Sequence, residues 1–382
     1  MNNAIIFISY HPGSLTEYDW LREVDKCQSL HILILCQHAY VTKEIINLYS
    51  DKYGYAMILP DIHYEKNIIR GFIRYFMFIN KFCKWIRPIL SDIGSFSIIS
   101  DCSAYLPVNA LISTLKKNKK CKKLISIRED YYMNTSIQTP TTLLTMFYTK
   151  ALSLYPVRNH KGLSYLYKNE PRDMIIKLIS PYERRIDQKQ PLNNSAPSFY
   201  IFKPVMDRKN SEKNIIVFYS DRELGEYGSG LSSEEHRNRI RRFFVQLSKY
   251  YKNYKIICKP HPLDQGNVMD GMENVEYELY KGGLSSQMHL HININNIRAC
   301  YSVSSTSLLY SASLGIPSYT LYKYLEYNNE YPKGFFESEK AKQNPFLHNI
   351  NKLEEIGIID AISVESIPDE SIDNWYKILY DT

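Results

Sequence analysis

The sequence lacks several features that would each have fixed a class. No apolar run is both long enough and free enough of charge to span a bilayer, which takes about twenty residues as a helix. Paired C-x-x-C spacing is absent, and the seven cysteines stand singly. That pattern argues against a zinc framework or a disulfide scaffold and for reduced thiols in a cytosol. Charge of one sign is barely in excess, at +7. This is too weak to argue for nucleic acid, but it suits an anionic substrate or an anionic membrane surface. Met1-Asn-Asn-Ala leads directly into Ile5-Ile-Phe-Ile8, with neither a basic start nor a small-residue cleavage site. No signal peptide is expected from it, and a cytoplasmic location is.

What is present is a chain of 382 residues, 44% hydrophobic and 23% charged. Length and composition suggest two domains with ample core. Tyr is abundant, at 33. Short apolar runs alternate with helical segments. Ala4 to Ser9, Leu30 to Leu35 and Tyr55 to Leu59 read as strands, and Thr42 to Tyr53 as a helix. Ser97 to Ser100, Leu124 to Ile127, residues near Lys161 to Lys168, Asn214 to Ser220 and Asn274 to Glu278 continue the series. Helices are expected from Thr139 to about Leu154, from about Ser233 to Tyr250 and from a cap in Ser285 to Met288, with an interdomain connection near Arg208 to Lys213. Such alternation predicts α/β domains with parallel sheet.

The stretch Lys255-Ile-Ile-Cys-Lys-Pro-His-Pro-Leu263 carries the most chemistry. Its apolar run is cut off by Pro260 and Pro262, as a buried strand ends at a loop. Lys259 and His261 then sit at the carboxyl end of a strand, the edge where open α/β sheets bind ligands. A fixed cation and a group that protonates near neutrality suit an anionic leaving group such as a phosphate. The plainer reading is a solvated Lys and a capping His. Downstream, Ile297 to Val303 reads as a strand, followed by Ser304-Ser-Thr-Ser307 and the helical run Leu308 to Leu314. Gly315 ends that run and Pro317 opens the next segment. Hydroxyls at a helix start are capping residues, but a cap needs only one of the four.

Lys259-Pro-His-Pro262 followed by Ser304-Ser-Thr-Ser307 resembles the His-Pro and Ser-Ser/Thr motif pair of bacterial sialyltransferases and polysialyltransferases. The resemblance implies a glycosyltransferase-B fold, with two Rossmann-like domains facing a cleft. It also implies a sugar donor activated by cytidine monophosphate (CMP), no metal and no further cofactor. Residues 1–210 would form the acceptor domain and 211–365 the donor domain. Residues 366–382, whose Ser371 to Leu379 reads as an amphipathic helix, would be a C-terminal helix crossing back to the first domain. The family's N-terminal acidic motif is matched by Glu129 and Asp130, with Tyr131 where the family has glycine. By resemblance an acid here is the general base, Asp130 first and Glu129 second. A pair of solvated loop acids is the plainer reading. His261, Lys259, Pro262, Ser304, Ser305, Thr306 and Ser307 would hold the donor phosphate. Gln287 stands nearest to an acid that contacts ribose in the family, and Ser220 faces the same side. His11 and Ser14, in the loop after the first strand, would lie near the acceptor.

Other stretches leave alternatives open. Asp221 to Leu231 holds Gly225, Gly228 and Gly230, which allow close backbone approach to a ligand but match no phosphate fingerprint. His289 and His291 alternate as on a strand, with no third ligand nearby for zinc. In Asn67 to Leu90, Arg70, Arg74, Lys81 and Lys84 fall on one helical face. No acid occurs from Asn67 to Ser91. This is either a basic amphipathic helix at a membrane surface or a helix with its apolar side on a sheet. The basic run Lys116 to Lys123 is either a solvated turn or a further attraction to anionic lipid. The function these features imply is transfer of a nonulosonic acid, whether sialic, legionaminic or pseudaminic, to capsule, lipooligosaccharide or O-antigen. The rivals are a Kdo transferase, an epimerase or a pyruvyl transferase on the same fold, or a non-catalytic glycan-binding subunit.

Overall fold

A computed structural model describes residues 3–9, 14–25, 29–36, 43–50, 52–59, 68–101, 106–129, 174–179, 198–202, 214–221, 226, 228–261, 275–327 and 330–362. The chain divides into two compact units, and each is built on a parallel sheet. The expected pair of Rossmann-like α/β domains is what the chain forms.

The first unit runs β1 (Asn3–Ser9), α1 (Ser14–Val24), β2 (Leu30–Cys36), α2 (Lys43–Ser50), β3 (Tyr55–Leu59), α3 (Ile68–Asp92), β4 (Ser95–Ser100), α4 (Leu106–Leu115), β5 (Cys121–Glu129), β6 (Met174–Ile179) and β7 (Ser198–Phe202). The strand order is β3-β2-β1-β4-β5-β6-β7. Strands covered on both faces need apolar side chains on both, and Ala4 to Ile8 are all buried. One face packs Ala4, Ile6 and Ile8 against Phe78, Phe82 and Ile86 of α3 and Leu111 of α4. On the other, the Phe7 ring meets Tyr18 at 5.0 Å and Tyr53 at 5.8 Å. Burying each such ring contributes about 1.5–3 kcal/mol.

The second unit runs β8 (Ile215–Tyr219), α5 (Ser233–Tyr250), β9 (Lys255–Lys259), β10 (Glu278–Leu279), α6 (Ser286–Ile292), β11 (Ile297–Ser302), α7 (Ser307–Ser313), β12 (Ser318–Thr320), α8 (Glu330–Phe336), α9 (Glu339–Gln343) and β13 (Leu347–Asn349). Its order is β10-β9-β8-β11-β12-β13. Helix α5 starts where a capping box predicts. The Ser232 hydroxyl accepts from the Glu235 N–H at 3.3 Å. Much of the tyrosine here is structural. Asp360 accepts from the Tyr251 hydroxyl at 2.7 Å and the Tyr319 hydroxyl at 2.6 Å. The Tyr301 and Tyr319 rings stack at 4.6 Å. Burial, with the Asp360 charge, pushes the Tyr251 and Tyr319 phenols well up.

Several sequence expectations need correction. Strand β5 begins at Cys121 and ends at Glu129. The end of the basic run is therefore strand, with Lys123 buried, because register with β4 extends back to Cys121. His289 and His291 lie on helix α6, not on a strand, and both are buried. The helix expected from the Ser285 cap is what forms, with the Ser285 hydroxyl accepting from the Met288 N–H at 3.3 Å. The strand expected at Asn274 to Glu278 is the two residues Glu278–Leu279. The helix expected from Thr139, the strand near 161–168, the connection near 208–213 and the terminal helix at 371–379 fall outside the described residues.

Candidate functional site

A parallel sheet whose strand order reverses leaves a crevice at the carboxyl ends of the two strands where it reverses, and ligands bind there. In the second unit that point lies between β8 and β11. Register places Lys259, Tyr219 and Ser302 in one row across β9, β8 and β11. The loops that follow therefore leave the sheet side by side. They begin Pro260-His261, Ser220-Asp221 and Val303-Ser304. The two motifs singled out in the sequence, 45 positions apart from His261 to Thr306, emerge on either side of β8.

Asp221 organises this edge, and the sequence had not marked it as a principal site. Its carboxylate accepts from the Ser304 N–H at 2.7 Å and the Ser302 hydroxyl at 3.0 Å. Burial pushes its carboxyl up to about 6, while the bonds from Ser304 and Ser302 pull the other way. A carboxylate that bridges two strand ends across the crevice fixes the course of the serine loop. The signal available in the sequence was only its place, two residues beyond the last residue of a strand.

The four hydroxyls have different tasks. The Ser304 side chain lies near the Asp221 carboxyl and the Tyr327 phenol and favours the charged form of each. The Ser305 hydroxyl donates to the Ser307 hydroxyl at 3.2 Å and accepts from the Ser307 N–H at 3.3 Å. Thr306 is the N-cap of α7 in helical backbone geometry, and its side chain makes no capping bond. The expected capping role thus belongs to Ser305 through Ser307, while the half-buried Thr306 hydroxyl serves no helical N–H. Gly315 ends the segment after α7 at φ 73°, the left-handed conformation that favours glycine.

Lys259 is the last residue of β9 rather than part of the loop, and it is buried. Its ammonium lies 5.3 Å from the centre of the Tyr280 ring. His289 stands beside the same ring at 4.6 Å. Burial, and then the Lys259 charge, push the His289 imidazole down to about 4, so it is neutral at physiological pH. His261 is half-buried at the loop start. The Ser220 hydroxyl donates to the Asp221 carbonyl at 2.8 Å. Gln287 is half-buried in the first turn of α6. Pro262 falls outside the described residues.

In the first unit the order reverses between β1 and β4. There the Ser14 hydroxyl donates to Asp101 at 2.6 Å, and the Ser9 hydroxyl to the same oxygen at 3.4 Å. Ser14 is thus fixed at the carboxyl edge of β1. Asp101 was missed because nothing in its sequence neighbourhood sets it apart. Glu129 is the last residue of β5, paired in register with Leu178, so it closes a strand rather than opening a loop. Asp130 and His11 fall outside the described residues. The described end of the glycine loop, residues 228–231, packs against protein. A Cβ on Gly228 would collide with the Tyr327 ring, and Ser229 donates to the Leu325 carbonyl at 2.8 Å.

No protein-family model matches the chain, and no curated protein matches it. Among solved structures it is similar to Phytolacca americana UGT2, at 12% identity and a TM-score of 0.48, covering 100% of this chain and 91% of that one. A sialyltransferase from Photobacterium damsela is similar at 11% identity and 0.46, covering 91% and 81%. The UDP-N-acetylglucosamine 2-epimerase from Rickettsia bellii is similar at 12% and 0.42, covering 94% of each chain. The chemistry must therefore come from the residues themselves. Among the described residues no group of three or more His, Cys, Asp or Glu is arranged to hold a metal ion.

Proposed function

We propose that the chain is an inverting, metal-independent glycosyltransferase of the sialyltransferase-like type. The donor is a CMP-activated nonulosonic acid, and the acceptor is a bacterial surface glycan or glycolipid precursor. The observation that carries this reading is the row of three strand ends. It sets the Lys-Pro-His-Pro loop and the Ser-Ser-Thr-Ser loop on either side of β8 at a point of strand-order reversal.

In this reading the donor phosphate lies over the serine loop. The Thr306 hydroxyl and His261 meet its oxygens, with Asp221 holding the loop in place. The acceptor hydroxyl loses its proton to Asp130, or to Glu129, as its oxygen attacks the anomeric carbon. The bond from that carbon to the phosphate oxygen breaks, and CMP leaves with both electrons. His261 protonates or hydrogen-bonds the departing phosphate. Positioned acid–base groups contribute about 10²–10⁴-fold, and donors fixed on the leaving oxygens add electrostatic stabilisation. A single displacement of this kind inverts the anomeric centre. Work on such acceptors belongs at the cytoplasmic face of the inner membrane.

The test is an activity screen of the full chain. CMP-linked sialic, legionaminic and pseudaminic acids and CMP-Kdo are set against nucleoside diphosphate sugars, with release of the free nucleotide, CMP or nucleoside diphosphate, as the readout. Turnover with a CMP-nonulosonic acid supports the reading. Turnover confined to CMP-Kdo or to a diphosphate sugar overturns it.

A further inference from the structure

Helix α3 carries apolar side chains on two faces, and only one of them is used by the core. Its 25 residues span about 37 Å at the rise of an α-helix. Phe78, Phe82, Ile86 and Ile89 form the stripe that packs on the sheet. On the opposite side Ile73 is 54% exposed, Phe76 48% and Met77 67%. These three are spaced i, i+3 and i+4, so they make one patch. A helix that merely covers a sheet has a polar outer face, and this one departs from that in its first half.

The patch sits in a field of one sign. Arg70, Arg74, Lys81, Lys84 and Arg87 are all exposed on α3, and the helix holds no acid before Asp92. The turn after α4 extends the same charge. Lys116, Lys117 and Lys119 are exposed there. Lys120 fastens the turn to the end of α3, donating to the carbonyls of Leu90 and Ile93, each at 2.7 Å. Exposed apolar side chains ringed by cations are complementary to a lipid surface with anionic headgroups. A protein partner would have to be both apolar and acidic over the same patch. Spanning is excluded for α3, since no helix of the described residues is long and apolar enough to cross a membrane.

We propose that the outer face of α3 is a docking surface for an anionic membrane. The helix lies along the lipid interface, with Ile73, Phe76 and Met77 entering the headgroup boundary and Lys81, Lys84 and Arg87 facing anionic lipid. This stands whichever sugar the protein transfers, since it uses no residue of the second unit.

The experiment is sedimentation of the full chain with vesicles of phosphatidylcholine alone, or with about a third phosphatidylglycerol. The native chain should sediment with the anionic vesicles and not with the neutral ones. Lys81→Gln, Lys84→Gln and Arg87→Gln together should weaken partitioning on the order of a hundredfold at low salt. Ile73→Ser with Met77→Ser should weaken it by at least about tenfold. These side chains are exposed, so unchanged melting curves will show that both variants fold. Equal sedimentation with both vesicle types, or with neither, overturns the proposal. So does native-like binding by both variants, or a dimer of the native chain that Ile73→Ser with Met77→Ser abolishes.

Discussion

Asp221 shows how one side chain links fold and chemistry. In the folded protein its carboxyl is pushed up to about 6 by burial, against about 4 in an unfolded chain. A folded-state value raised in this way means that the native state binds the proton more tightly. The group's contribution to stability is then largest below pH ~4 and is lost as pH rises through about 6. The melting temperature of the native protein minus that of Asp221→Asn should therefore fall between pH 4 and pH 7. A difference that rises over that range would contradict the assignment. Asn also keeps an acceptor for the Ser304 N–H, and Ala does not. Asp221→Asn is expected to retain CMP binding, and Asp221→Ala to weaken it by about tenfold, the order of one hydrogen bond to a buried donor. The two roles at the reacting bond separate in the same way. On the proposed mechanism, His261→Ala should lose turnover and weaken nucleotide binding, since that mechanism has His261 meet the phosphate. Asp130→Asn should lose turnover with nucleotide affinity nearly intact. Glu129→Gln chooses between the neighbouring acids. If both acid variants transfer at native rates, Tyr131 in place of glycine was the informative residue. Asp221 would then be re-examined as the base, together with Glu223 and with Glu226, which ion-pairs with Arg237 at 3.6 Å.

For the elements, legibility followed packing. Strands β1, β3 and β9 were readable because they are short apolar runs with turn residues around them, and Pro260 closes the last of them. The outer face of α3 was not readable. The 3.6-residue period identifies an apolar side but cannot say that Ile73 and Phe76 point away from the sheet while Phe78 and Phe82 point into it. The glycine loop misled for a related reason. Glycine marks a close approach, and here the approaching group is the Tyr327 ring, brought from a hundred residues away by the fold. Gly228→Ala should cost about 1–3 kcal/mol as the ring is forced aside, read as a shift in the urea midpoint at unchanged slope. A neutral effect would show that the ring yields freely, and would return the loop to a ligand-facing role.

On the scale of the whole molecule, two parallel sheets were expected and two are present, each reversing its strand order once. The motif pair could be found in the sequence because its residue types are unusual together. Its geometry could not, because the adjacency of β9, β8 and β11 is a property of strand order, which short apolar runs do not encode. Asp221 and Asp101 were hidden for that reason: each is an ordinary acid until the sheet brings serines from a distant loop or strand to it. In the function proposed, this row of strand ends holds the phosphate of a nucleoside monophosphate. Calorimetric titration with CMP and with UDP tests it most directly, using the native chain and a variant combining His261→Ala with Thr306→Ala. CMP should bind at least about tenfold more tightly than UDP, one decade being about 1.4 kcal/mol, and the double variant should lose that preference. Tighter binding of UDP by the native chain, or a CMP affinity untouched in the variant, would contradict it.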